Sequence, residues 1–221
     1  MASSSVEKAS LSPVGRQLLA SAEQGSAAHP YASSEALLQG GDSARNLADM
    51  IHLLCTLHGR YPGVIDHAAS RVTEPGARAW LATATHIFAG ERAYLARLAV
   101  SSGPVPSTPG ASDSDTVVRG QRHAIEMLAQ SERKGCAVGA AMAVVLDWAA
   151  IRKVLDSAAR RFGVEPPHFA AADGAPIAAV ADDFADSPGI QRALQFGAEQ
   201  IMIQHHGLWD LLEARQQARA G

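Results

Sequence analysis

A glutamate, two histidines, an aspartate and a glutamine stand where the helical pattern of this sequence calls for apolar side chains. In "THIFAGERAYLARL", residues 85–98, Glu91 lies at the centre of a face formed by Trp80, Ala84, Ile87, Phe88, Tyr94, Leu95 and Leu98, while His86 points away from it. An ionised carboxylate inside an apolar face must be paired, hydrogen-bonded, metal-bound or protonated. Other stripes supply partners. Leu47, Ile51, Leu54 and His58 recur at helical spacing, as do Ile201, His205, Leu208 and Leu212. Gln121 sits between Val117, Ala124 and Leu128, with Glu132 further along the same side, and Asp147 borders Val144, Ile151 and Leu155.

Two chemistries follow from these residue types. His58, Glu91 and His205 make a competent ligand set for a single divalent metal such as iron, zinc or manganese, with positions open for water or substrate. They could equally line a polar pocket in which Glu91, its pKa raised by burial, acts as a general acid or base. The other reading, favoured by the absence of a catalytic motif, is an interaction or regulatory module whose surface does the work and whose buried polar network only fixes packing register. The first predicts that Glu91→Gln or His58→Ala abolishes ligand uptake in a folded chain; the second predicts a loss of stability.

Further polar groups project outward. Asp49 with His52, and His123 with Glu126, read as solvated faces, as do Arg152, Lys153, Arg160 and Arg161 along the helix after residue 136. His206 points away from its stripe, and His67 lies at the edge of one. There is no phosphate-binding glycine loop, nucleophile elbow or HExxH.

The elements that must position these residues are helices. Ser12 and Pro13 mark a short helix start in an arm, residues 1–41, that reads as loosely ordered. The patterned domain spans residues 42–221. It holds a helix from Asp42 or Ser43 to Gly59, a short one after Pro62, a long one after Pro75, and one from near Asp113 to "ERKG". A tight turn at Gly135 leads into a helix over about residues 136–162, whose Gly135, Gly139 and Ala143 permit close backbone approach. A long acidic connection with one helical turn precedes the last helix, from Ser187 and Pro188 to about residue 218. The fold class is all-α, an antiparallel helical bundle of five main helices plus short helices.

Bulk properties narrow the partners. A net charge of −3 offers no basic field for nucleic acid. The longest nearly apolar run, "CAVGAAMAVVL", falls well short of the roughly 20 residues that span a bilayer. No charged and apolar leader opens the chain, and Cys55 and Cys136 form no metal or redox motif, so a cytoplasmic protein is expected. Phe196 and Ile203, opposite the main stripe of the last helix, suggest a second packing partner, the arm or a homodimer.

At "LHGRYPGVIDHAA", "GPVPSTPG" and "SERKGCAVGAAMAVVLDW" the chain resembles an uncharacterised family of bacterial helical proteins, a domain of unknown function, over about residues 42–161. The resemblance implies an all-α fold and no established activity. In shape alone the bundle is similar to ferritin-like and haem-oxygenase-like proteins, but it lacks an inward ExxH pair and the carboxylates for two metals.

Overall fold

The computed structural model describes residues 12–220. Residues 1–11 and 221 lie outside the described residues, and so does most of the start read as lacking a leader. Among the described residues the chain is all-helical, with no strand. Helix α1 (Pro13–Ala22) starts where the Ser12 hydroxyl accepts the Val14 N–H and Pro13 presets the first helical residue. Two 3-10 turns, Ser26–Ala28 and Pro30–Ser33, lead to the single-turn helix α2 (Glu35–Leu38). Then come α3 (Ser43–His58), α4 (Val64–Arg71), α5 (Pro75–Ser101), α6 (Ala111–Ala129), α7 (Cys136–Phe162), α8 (Gly174–Phe184) and α9 (Pro188–Ala220).

Helix α7 is the centre of the core, and α7 with α9 forms the largest helix–helix interface. Small residues make that approach possible. A Cβ on Gly139 would stand 1.9 Å from the Leu194 carbonyl oxygen, and one on Gly197 would stand 2.1 Å from that of Cys136. Gly135, at φ +103, makes the turn into α7 and lies against the Ile190 backbone.

The contacts also set helix direction, and here the expected antiparallel order needs correction. Gly135 meets Ile190, Gly139 meets Leu194 and Asp147 meets His205, so α7 and α9 run in the same direction. Glu91 bonded to Trp148 and Tyr94 bonded to Leu155 give α5 that direction too. Helix α3 runs against them, since His58 meets His205 while Asn46 meets Arg219. The physical reason is the connection over residues 163–187. Short connections force neighbours antiparallel, but this one, with α8 inside it, returns the chain to the end where α7 began.

Three further expectations change. Residues 12–41, read as part of a loose arm, are built into the core: Leu18 and Leu37 are fully buried, and Asp182 of α8 accepts from the Ser12 hydroxyl and the Gly15 N–H. Helix α6 stops at Ala129, short of "ERKG", and leaves Glu132 exposed in the turn. Ile87 and Val117, assigned to core faces, are 47% and 48% exposed, because each sits at the edge of its stripe.

Candidate functional site

Helices α3, α7 and α9 bring His58, Asp147 and His205 into one buried line. Asp147 accepts from the Ser26 N–H at 2.7 Å, the Ser26 hydroxyl at 2.5 Å and His205 Nδ1 at 2.6 Å. His205 Nε2 lies 2.9 Å from His58 Nε2. A carboxylate can only accept, so His205 carries its proton on Nδ1 and offers a lone pair at Nε2. His58 must then donate from Nε2, which leaves the lone pair of His58 on Nδ1. Burial first, and the neighbouring His205 second, push the His58 pKa well below the ordinary range, so the ring is neutral.

His58 also faces a pocket. Together with Arg60, Phe88, Arg92, Arg122 and Glu126 it lines a narrow, partly open recess with a cavity volume of about 40 Å³. The line from Asp147 therefore runs from the interior to a cavity wall.

Glu91 belongs to a second cluster. Its Oε1 accepts from Arg152 Nη1 at 2.7 Å and its Oε2 from Trp148 Nε1 at 2.8 Å. Arg152 also donates to Asp156 at 2.7 Å and to the Pro167 carbonyl at 2.6 Å, and its guanidinium lies 4.4 Å from the Tyr94 ring centre. Burial still raises the Glu91 pKa, with the Trp148 and Arg152 contacts opposing it. The Trp148 ring, edge-on to His58 at 5.6 Å, stands between the two clusters.

Of the five residues singled out, the structure brings together His58, Asp147 and His205. Glu91 is held apart on Trp148 and Arg152, so the three proposed metal ligands do not converge. Gln121 bonds the Gln204 carbonyl at 3.3 Å, and its own carbonyl oxygen is buried without a partner. Among the described residues, the histidine and carboxylate group whose ligand atoms do converge is His29, His206 and Asp210. There His29 Nδ1 accepts the Tyr31 N–H and Nε2 lies 3.0 Å from Asp210. Both ring nitrogens are used, and a metal would have to displace the proton between Nε2 and Asp210.

Two residues read as solvated are buried. Arg152 is 2% exposed and pairs with Glu91, while Asp49, fully buried, takes a two-point bond from Arg215 at 2.8 Å and one from Arg219 at 2.7 Å. The signals for Arg215 and Arg219 were present: the stripe Ile201, His205, Leu208, Leu212 continues at helical spacing to both. Ser26 lies in a 3-10 turn, where no periodicity marks it.

The fold and site thus define a helical protein with buried ion pairs and a carboxylate–imidazole–imidazole line. The chain belongs to a family of unknown function, DUF6975, whose family model matches residues 21–220. The match takes in residues 21–41 of the N-terminal segment as well as α3 to α9. No curated protein and no solved structure matches the chain significantly.

Proposed function

We propose that this chain binds a small molecule in the pocket lined by His58 and exchanges a proton with it. The observation that carries the reading is the Asp147–His205–His58 line, which ends on the wall of a cavity. A proton accepted at His58 Nδ1 lets the Nε2 proton pass to His205 Nε2. The positive charge then rests on His205, against the Asp147 carboxylate.

The test is a fragment screen read through the imidazole signals of histidine-labelled protein. Hits that enter the pocket move the His58 and His205 signals together, and His58→Gln abolishes the response in a chain that melts as before. A screen in which no fragment moves these signals, while substitutions along the line only lower stability, would leave the network a packing device.

That outcome would favour an interaction module acting through its surface. Phe196 and Ile203 of α9 are 41% and 56% exposed and offer a face for a second copy. A homodimer predicts a mass that doubles with concentration in light scattering; monomer mass throughout would remove it. In either reading the site is in the cytoplasm and uses no nucleic acid, in keeping with two free cysteines and a net charge of −3. No helix among the described residues is long and apolar enough to cross a membrane.

A further inference from the structure

The charges around the pocket select among small molecules. Arg92 is saturated: its guanidinium makes a two-point bond to Asp66 at 2.9 and 3.3 Å and lies over the Tyr61 and Phe88 rings. Arg122 is different. Its Nε lies 3.2 Å from Glu126 Oε1, but the atom is buried and makes no hydrogen bond. Arg60 also lines the recess and is exposed, with no ion pair among the described residues. Three arginines against the carboxylates of Asp66 and Glu126 leave the rim with a surplus positive charge. The remaining wall is apolar, formed by Leu57, Val64, Ile65, Phe88 and Ile125.

Resting on the pocket reading above, we infer that the ligand is a short organic carboxylate with an apolar stub and a hydroxyl or amine donor. The carboxylate pairs with the guanidinium of Arg122, a residue of the pocket wall whose one ion pair among the described residues is with Glu126. The donor meets the lone pair on His58 Nδ1, the acceptor that the tautomer order of the line exposes. The apolar stub lies against Phe88 and Ile125. Glu126 competes with the ligand for Arg122, so removing its charge must help binding.

The experiment titrates the full chain, labelled in histidine, with lactate and 3-hydroxybutyrate beside their neutral amides. Saturable shifts of the His58 signals are expected with the acids and not with the amides. Arg122→Gln is expected to weaken the acids about tenfold or more, the effect of one charge-assisted bond. Glu126→Gln moves binding the other way, which separates a ligand contact from a general loss of fold. Amides that bind as well as the acids would overturn the anion assignment and leave the pocket reading standing. If acids and amides are equally silent, the anion assignment falls, and the fragment screen decides the pocket on its own.

Discussion

Arg152→Met is expected to destabilise the fold by about 3–5 kcal/mol, because it leaves the Glu91 carboxylate buried without its cation. Trp148 Nε1 remains as a donor, but the charge loses its counter-charge and the Pro167 carbonyl loses its bond. The cost depends on pH, with a definite sign. Burial raises the folded-state pKa of Glu91 above its ordinary 4.5, Trp148 and Arg152 only partly offsetting it. A carboxyl raised in this way binds its proton more tightly when folded. Its contribution to stability falls as pH rises from 4.5 through the folded value, and is constant above it. Removing Arg152 raises the folded value further and extends the window upward. Urea unfolding should therefore show a smaller loss at about pH 5 than at about pH 8. Glu91→Gln added to Arg152→Met should recover part of the loss. A double variant no more stable than Arg152→Met would show that the pair is not coupled as its geometry indicates.

Asp147→Ala is the second large effect. It leaves the Ser26 N–H, the Ser26 hydroxyl and His205 Nδ1–H inside the protein with no acceptor. Buried donors left unpaired cost about 1–3 kcal/mol each, and neighbours are not additive, so a total of about 3–5 kcal/mol is expected. The loss is directional as well as large. Ser26 ties the turn before Pro30 to α7, so hydrogen exchange should speed up across residues 23–34 before it does in α7. Asp147→Asn is the gentler control. Its oxygen can still accept from Ser26, while its NH₂ turned to His205 Nδ1 reverses the tautomer order. His58 then presents a protonated Nδ1 to the pocket, which nitrogen chemical shifts would record. An unchanged His58 tautomer in Asp147→Asn would break the link from Asp147 to the pocket.

Much of this was legible from spacing alone. His58 and His205 share their stripes with leucine and isoleucine, so their inward direction follows from 3.6-residue periodicity. Glu91 was legible for the same reason, but its partner was not. Arg152 lies between the fully buried Ile151 and Leu155 on a helix so heavily buried that a single apolar stripe cannot be drawn on it. Asp49 escaped in the same way, since α3 is buried on nearly every side. Projection onto one face assumes a helix with a wet side, and these two have little of one. Nor does periodicity carry helix direction. The co-directed α7 and α9 follow from the route of residues 163–187, which no residue pattern in either helix records.

The polar clusters also bear on when, during folding, the interior becomes tolerable. Asp147 and Ser26 are 121 residues apart in the chain, His58 and His205 147, and Asp49 and Arg215 166. Every one of these pairings joins an early segment to a late one, the kind of closure that slows folding. A chain stopped before α9 could collapse its leucines, yet it would hold Asp49, His58 and Asp147 in the interior with their α9 partners missing. The buried charges thus penalise incomplete products as well as holding the finished fold together, and make the last helix a condition of the burial of α3.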